Sequence, residues 1–335
     1  MSLYAEALSP LSRAVKSLTA THGRALGALL VLAMLLFAPG QFALQPMDRD
    51  EPRFAQATKQ MLETRDFVDI RFQDDARHKK PVGIYWLQSV AVSAADAAGA
   101  ADARRTIGFY RLPSFLAALA GVLLTYWAAL AFLSRTGAFL AAGLMAATVL
   151  LGVESRLAKT DATLLMTCLV GFGVLARLWF RAQSPETERE LKHWQIIAFW
   201  LAMGLGVLVK GPITPLIIGL PALALSLRER SSRWLLPLKP LMGLIIVLAM
   251  AAPWLITIGL KTGGSFFTDS VGKDMLGKVG QGQERHWGRR GCMPLFSGRR
   301  PGPWRRSWPL LFALPGWNAV MPPWLFCWRG SFRPG

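Results

Sequence analysis

The chain has 335 residues, of which 53% are hydrophobic and only 17% are charged. Long uncharged runs recur along it, which is typical of a polytopic helical membrane protein. The net charge of +18 does not indicate nucleic-acid binding, because the basic residues are spread over loops between apolar runs and are not gathered on one soluble module.

Seven apolar segments are candidates for membrane spans, since a span needs about 20 mostly apolar residues. They comprise residues 25–44, 109–133, 137–154, 162–180, 194–210, 212–227 and 240–260. Backbone groups cannot stay unpaired in lipid, and these segments lack strand-like alternation, so we expect helices. The first segment has no clear small-residue cleavage site and is predicted to be an uncleaved span rather than a signal peptide. The predicted fold class is therefore an all-α polytopic membrane protein with about seven transmembrane helices.

The charges of the loops predict the orientation of the chain. If residues 1–24 are cytoplasmic, the inside loops are short and basic, as the positive-inside rule requires. The outside segments are then the loop at 45–105, the turn at 154–161, the turn at Lys210 and the residues after 260. This assignment places nearly all the chemically interesting residues on one face, which favours a single extracytoplasmic site.

The outside loop at 45–105 has two segments with a helical pattern. Residues 52–64 place Phe54, Ala57, Met61 and Leu62 on one face, and Pro52 suits a first helical turn. Residues 84–98 form a second apolar segment that begins with Tyr-Trp. We expect both helices to lie along the membrane interface, with the aromatic rings at headgroup level.

An ordered series of motifs follows in the same loop. Residues 50–55 read Asp-Glu-Pro-Arg-Phe-Ala, residues 60–63 read Gln-Met-Leu-Glu, and residues 80–87 read Lys-Pro-Val-Gly-Ile-Tyr-Trp-Leu. Later segments are Arg-x-x-Lys-x-Asp at 156–161, Lys-Gly-Pro at 210–212, Pro-Trp at 253–254 and Gln-Glu-Arg-His at 283–286. Over residues 25–286 this series resembles the GT-C membrane glycosyltransferases, in the branch of aminoarabinose transferases and protein mannosyltransferases.

The resemblance implies an inverting glycosyltransferase that moves a sugar from a polyprenyl-phosphate donor to an extracytoplasmic acceptor, which would be a lipid A-like glycolipid, a glycan or a protein. The acceptor oxygen must be aligned and, if it is a hydroxyl, deprotonated. The implied catalytic residues are Asp50 with Glu51 in support, and Asp161. The implied donor-phosphate ligands are Lys80, Lys210, Arg156 and Lys159, and the implied substrate contacts are Tyr85 and Trp86.

Each of these residues also has a purely structural interpretation. Asp50 and Glu51 could be a charge pair at a helix amino terminus, and Asp161 could cap the helix that follows it. Interfacial lysines such as Lys80 and Lys210 often extend towards the headgroups without any ligand. The motif series favours function for the carboxylates and for Lys80, whereas the two interpretations of Lys210 are balanced.

A divalent metal ion is an open question for this family. Glu284 and His286 are the candidate ligands, on the strength of their position in the motif series alone. The chain departs from the aminoarabinose branch at Lys79, where that branch has a glutamate that helps to hold a metal. The resemblance therefore does not extend to a metal ligand at this position, and the sugar and acceptor can differ as well.

Two other interpretations are open from the sequence. One is a membrane transporter, although transporters usually place ionisable residues within spans near the bilayer midplane, and these spans are nearly free of them. The other is an inactive, truncated glycosyltransferase fragment, to which the composition of residues 287–335 points.

We predict that the chain is frameshifted or truncated from about residue 286. The alternative is a genuine basic, Trp-rich interfacial tail. Residues 286–335 contain eight Arg, six of the 13 Trp and eight of the 21 Pro, but no Lys, Asp or Glu. A one-base frame change near codon 286 should then restore a Pro-Gly-Tyr-Tyr-like segment and further apolar spans. Resequencing the gene and translating all three frames tests this, and a gene without apolar spans in either alternative frame would contradict it.

Overall fold

A computed structural model describes residues 12–47, 49–183 and 191–268, together with Pro10 and Ser270. This part of the chain consists mainly of α-helices joined by short turns. The helices are α1 (Ser12–Leu18), α2 (His22–Phe37), α3 (Glu51–Thr64), α4 (Gly83–Ala97), α5 (Ile107–Ala129), α6 (Arg135–Ala146), α7 (Val149–Glu154), α8 (Asp161–Gln183), α9 (His193–Lys210), α10 (Ile213–Arg228), α11 (Pro240–Lys261) and α12 (Ser265–Phe267). A 3₁₀-helix spans Arg233–Leu238, and two short strands, β1 (Arg71–Phe72) and β2 (Asp75–Ala76), pair antiparallel.

Four of the described helices are long and apolar enough to cross a membrane, namely α5, α8, α9 and α11. The bent pair α1 and α2, which meet at 110°, is a fifth candidate if it counts as one span. Helix α10 is apolar but has only 16 residues. The chain is therefore a helical membrane protein, and the predicted count of seven spans is not confirmed.

Two of the predicted spans differ from the helices observed. The segment predicted at 25–44 ends as a helix at Phe37, because Pro39 cannot continue the backbone hydrogen bonding and Gly40 takes a left-handed φ of 87°. The segment predicted at 137–154 is two helices, α6 and α7. Thr148 has an extended backbone (φ −68°, ψ 126°) and separates them. Apolar composition alone does not reveal such a break.

Large apolar side chains cover the outer surfaces of these helices. Leu116 on α5 and both Leu241 and Leu260 on α11 are exposed, although they are large and fully apolar. In water an apolar surface of this extent would favour association. In a bilayer it lies against lipid chains at no cost, so the exposure fits an integral membrane protein.

The loop at 45–105 folds as the pattern predicts, with helices α3 and α4 close to the expected bounds. Phe54, Ala57 and Met61 are buried on one face of α3, as the spacing requires, and Leu62 is half-buried. Between the helices lies the β1–β2 hairpin, with Arg71 opposite Ala76, which the sequence did not predict.

An apolar cluster holds this loop against two spans. Phe54 of α3 and Tyr85 of α4 pack with Leu208 of α9, Trp254 of α11 and Phe266 of α12. Burying a large apolar side chain stabilises a fold by about 1.5–3 kcal/mol where the alternative is water, as it is for this loop. The cluster therefore keeps α3 and α4 in fixed positions against the ends of α9 and α11.

Candidate functional site

A buried ion pair connects the start of the loop helix α3 to the span α5. Arg111 Nε donates to Glu51 Oε1 at 2.6 Å, and Arg111 Nη2 donates to Oε2 at 3.1 Å. Both side chains are fully buried. A bidentate pair of this kind fixes the orientation of both groups as well as the distance between them.

The remaining hydrogen-bonding groups of this pair bind the neighbouring backbone. Arg111 Nη1 donates to the carbonyl oxygens of Gln41 (2.9 Å) and Leu44 (2.8 Å). Glu51 accepts from the backbone N–H groups of Met47 (3.2 Å) and Ala158 (3.1 Å). One carboxylate therefore joins the chain after α2, the start of α3, the span α5 and the turn before α8.

Asp50 lies beside this pair but points to a more open environment. Its side chain is 44% exposed, and it pairs with Arg53, whose Nη1 lies 3.6 Å from Asp50 Oδ1. Asp50 lies at the amino terminus of α3, and within the described residues its carboxylate makes no capping hydrogen bond to that helix. Its catalytic role stays a prediction beside the alternative of a helix-terminal charge pair. Asp50 thus has a fixed backbone and a carboxylate that a ligand can reach.

A second ion pair joins the start of α8 to the end of α9. Lys210 Nζ donates to Asp161 Oδ1. Side-chain exposure is 19% for Lys210 and 37% for Asp161, so water or a ligand can reach both groups. Lys210 ends α9 and Asp161 begins α8, and the turn that contains Ala158 leads directly into Asp161. The two ion pairs are therefore neighbours along the same turn.

The Lys80 segment packs on the end of α9. A Cβ atom at Gly83 would lie 2.7 Å from the carbonyl oxygen of Leu208, so only glycine allows this close approach. Lys80 itself is half-buried. The motif residues at 80–83 and at 208–210 are therefore adjacent, as expected if Lys80 and Lys210 act on one ligand. We call Asp50, Glu51, Arg111, Asp161 and Lys210 the junction site.

Tyr85 and Trp86 have structural contacts in this conformation. The Tyr85 ring is fully buried 5.4 Å from the ring of Phe54, and its hydroxyl accepts from Arg77 Nε at 3.2 Å. Burial is the largest influence on this hydroxyl and raises the pKa of Tyr85 above its usual value. Trp86 Nε1 donates to the carbonyl of Phe67 at 2.8 Å. Their substrate contacts stay a prediction.

Arg156 and Lys159 also have protein partners. The Arg156 guanidinium donates to the carbonyls of Leu36, Pro39 (2.7 Å) and Gly152 (2.5 Å), so it satisfies carbonyl groups at the end of α2. Lys159 Nζ lies 3.7 Å from Glu154 Oε1. Phosphate binding by either residue stays a prediction, and for Arg156 it would compete with these carbonyl contacts.

The candidate metal ligands Glu284 and His286 lie outside the described residues. Within the described residues, no group of three or more His, Cys, Asp or Glu side chains is arranged to hold a metal ion. A metal site at Glu284 and His286 therefore stays a prediction.

Three polar contacts of the loop were not predicted from the sequence. The first is the pair between Glu51 and Arg111 of α5, although an arginine within an apolar span is a signal that could have revealed it. The second is a pair between His78 Nε2 and Asp69 Oδ1 at 2.9 Å, in which the buried His78 Nδ1 has no partner among the described residues. The third is a pair between Asp66 and Lys261 at the end of α11.

The Asp66–Lys261 pair affects the charge of the loop. Burial on its own raises the pKa of the Asp66 carboxyl, but the hydrogen bonds from Lys261 and from the backbone N–H groups of Asp69 and Val68 outweigh it, and the pKa lies below the usual value. The carboxylate is therefore charged at neutral pH, and the pair connects the loop to the end of α11.

A comparison with protein families decides the classification. The sequence model of the family described as dolichyl-phosphate-mannose-protein mannosyltransferase matches residues 79–257, over half of the chain. The chain belongs to this family. The match includes the Lys80 segment, Arg111, Asp161 and Lys210, although it begins after Asp50.

Similar curated proteins come from one kind of transferase. The undecaprenyl phosphate-alpha-4-amino-4-deoxy-L-arabinose arabinosyl transferase of Pseudomonas paraeruginosa is 28% identical over 291 residues, covering 82% of this chain and 50% of that protein. The transferase of the same name from Pectobacterium carotovorum is 25% identical, covering 69% of this chain and 39% of that protein. The chain thus spans half or less of the length of these relatives.

Solved structures share the fold. The crystal structure of ArnT from Cupriavidus metallidurans in the apo state superposes with a TM-score of 0.61 at 20% identity, over 73% of this chain and 42% of that one. The same protein bound to undecaprenyl phosphate gives 0.59 at 20% identity, over 75% and 43%. The predicted GT-C-like architecture is confirmed at this level.

We predict that Glu51→Gln destabilises the protein far more than Asp50→Asn, although both remove one negative charge. The amide leaves the buried Arg111 guanidinium without its counter-charge, which typically costs about 3–5 kcal/mol. Asp50 is exposed, and such changes usually stay within about 0.5 kcal/mol. Thermal unfolding of the detergent-solubilised variants measures the difference. Equal unfolding temperatures for the two variants would show that the buried pair does not hold the loop.

Proposed function

We propose that the chain carries the junction site of a polyprenyl-phosphate-dependent glycosyltransferase of the inverting type. It would move a sugar from a polyprenyl-phosphate donor to an extracytoplasmic acceptor, either a lipid A-like glycolipid, a glycan or a protein. The observation that carries the proposal is the connection of Glu51, Arg111, Asp161 and Lys210 from four chain segments. The connection runs through the Glu51–Arg111, Glu51–Ala158 and Asp161–Lys210 contacts.

The chemistry requires a carboxylate beside the acceptor. The acceptor oxygen forms a bond to the anomeric carbon, while the bond from that carbon to the phosphate oxygen breaks and its electron pair leaves with the polyprenyl phosphate. If the acceptor is a hydroxyl, its proton passes to Asp50, whose carboxylate is exposed on a fixed backbone. The buried Glu51 carboxylate accepts four hydrogen bonds from Arg111, Met47 and Ala158, so we assign it the positioning of Asp50.

The leaving phosphate requires positive charge. Lys210 is the best placed cation, because its ammonium is partly exposed and already binds an oxyanion, the Asp161 carboxylate. A donor phosphate would share or replace that carboxylate, so Asp161 holds Lys210 in position until the donor binds. Lys80 would add a second charge from the segment that packs on Leu208. Cations fixed in advance stabilise the charge that grows on the leaving group.

The site would face the periplasm of a bacterial inner membrane. The relatives are named for an undecaprenyl phosphate substrate, and loop charge favours an outside position for the junction site. In this arrangement α6 with α7, and α10, would complete about seven membrane-crossing segments with tilted or paired helices.

The orientation is tested by cysteine labelling in intact cells. With Cys168, Cys292 and Cys327 replaced by Ser, a cysteine introduced for the exposed Asp74 in the hairpin should react with a membrane-impermeant maleimide. A cysteine introduced for the exposed Glu229 after α10 should react only after permeabilisation. The reverse pattern would place the loop in the cytoplasm and remove the basis for a periplasmic site.

We predict that Asp50→Asn lowers turnover by roughly 10²–10⁴-fold, the usual range for the loss of a general acid or base. The assay follows sugar transfer from an undecaprenyl-phosphate donor in membranes that show transfer with the unmodified protein. Asp74→Asn is the matched control, because it removes the same charge from an exposed position in the same loop. Unchanged turnover in Asp50→Asn would remove Asp50 from the mechanism.

Donor binding tests Lys210 without any need for turnover. We predict that Lys210→Met weakens the binding of undecaprenyl phosphate to the full chain in detergent by roughly 10–100-fold, since a hydrogen bond to a charged group contributes about 1.5–3 kcal/mol. Asp161→Asn should bind at least as tightly as the unmodified chain, because it frees the ammonium. Lys239→Met is the charge-matched control, because Lys239 precedes the amino terminus of α11. Equal loss in the Lys210 and Lys239 variants would contradict the assignment.

A further inference from the structure

A cavity of about 440 Å³ lies on the loop at a place that the proposed reaction does not use. It is open to the surface and is lined by residues 42–46 after α2, by the first turns of α3 and by the segment at 104–110 that leads into α5. Its wall includes the apolar side chains of Phe42, Leu44 and Ile107. Its rim carries three cations, Lys59, Arg104 and Arg105, and among the described residues that line it none is acidic.

The helix ends beside the cavity indicate its depth in the membrane. Ile107 is the first residue of the span α5, and Arg104 and Arg105 come directly before it. On the other side, Phe42 follows the end of α2 by five residues and packs edge-on against Phe109, with ring centroids 5.3 Å apart. Both walls are therefore ends of membrane helices, where lipid headgroups lie.

Two of the three cations at the rim have only long ion pairs. The Arg105–Asp102 and Lys59–Glu63 pairs are 3.9 Å and 3.8 Å long, whereas Arg104 Nε and Nη2 lie 3.3 Å and 3.2 Å from Asp96 Oδ2. All three pairs are partly exposed, and such pairs contribute little. The phosphodiester of a phospholipid carries its negative charge on two non-bridging oxygens, which accept charge-assisted hydrogen bonds from guanidinium and ammonium groups.

We propose that this cavity binds the phosphate headgroup of an anionic membrane phospholipid, of which phosphatidylglycerol is the probe used below. The phosphate would lie between Lys59 and the two arginines, and the acyl chains would descend past Phe42 and Leu44 into the bilayer. Both side chains are exposed, 52% and 39%, although they are large and apolar. The lipid would hold α3, and with it the junction site, at the membrane surface. This inference rests on the membrane position of α5 and not on sugar transfer.

The test uses the full chain in nanodiscs of a zwitterionic lipid that contain a small fraction of phosphatidylglycerol with a photoactivatable acyl chain. Mass spectrometry then measures the yield of crosslinks to peptides that contain residues 42–46 and 104–110. We expect Lys59→Gln with Arg105→Gln to lower that yield by about fivefold to tenfold, since each cation near a bilayer surface contributes to anionic lipid binding. Arg228→Gln with Arg230→Gln removes the same charge from exposed positions after α10 and should change nothing.

A variant that should raise the crosslink yield separates lipid binding from a loss of folding, because misfolding would lower the yield. Asp96→Asn with Asp102→Asn removes the competing carboxylates and should raise the yield, whereas a merely structural role would lower it or leave it unchanged. Photoactivatable undecaprenyl phosphate and phosphatidylcholine serve as alternative probes. Crosslinks with phosphatidylglycerol that exceed those with both probes support the proposal. Labelling by undecaprenyl phosphate alone, or equal labelling by phosphatidylcholine, would overturn it.

Discussion

The Glu51–Arg111 ion pair is the constraint on which the arrangement of this site depends. An arginine in the first turns of a membrane span is costly unless its charge is compensated. Glu51 compensates it from outside the span, and the remaining guanidinium donors bind backbone carbonyls of the segment after α2. Because both charges are fully buried, water cannot solvate either of them in place of the ion pair. The start of α3 therefore cannot move without exposing a bare charge to a low dielectric.

This constraint also fixes the backbone of the adjacent residue, Asp50. Asp50 shares a backbone with a fixed neighbour, but its own carboxylate is exposed and lacks a strong partner of the kind that Glu51 has. Glu51 also accepts from Ala158, three residues before Asp161, so the same carboxylate fixes the turn that leads to the second ion pair. Asp50 and the Asp161–Lys210 pair are thus held relative to one another by one buried group. Catalytic groups held in this way lose little entropy when a substrate binds.

The helices of the loop could be predicted because each is a local pattern. Phe54, Ala57 and Met61 recur at helical spacing, and their burial follows from that spacing alone. The family motifs also located Asp161 and Lys210, although only the structure brings them into one ion pair. The break between α6 and α7 at Thr148 was not predicted, because apolar composition alone does not show where helical hydrogen bonding is interrupted.

Other contacts of the site could not be predicted because they join distant segments. Glu51 and Arg111 are 60 residues apart, and no periodic pattern links a loop carboxylate to an arginine in a span. The β1–β2 hairpin has only two residues in each strand, too few for an alternating pattern. The position of Arg156 against the carbonyls after α2 likewise depends on how α2 and the turn before α8 pack together.

The most direct measurement is the position of a bound donor. Undecaprenyl phosphate with a photoreactive group next to its phosphate would be bound to the full chain, irradiated, and the labelled residues identified by mass spectrometry. The account predicts labels near Asp50, on the turn that contains Ala158 and at the end of α9 near Lys210, with loss of the labels in Glu51→Gln. Labels confined to the basic loops after α8 or α10 would contradict the central claim that these segments form one donor site.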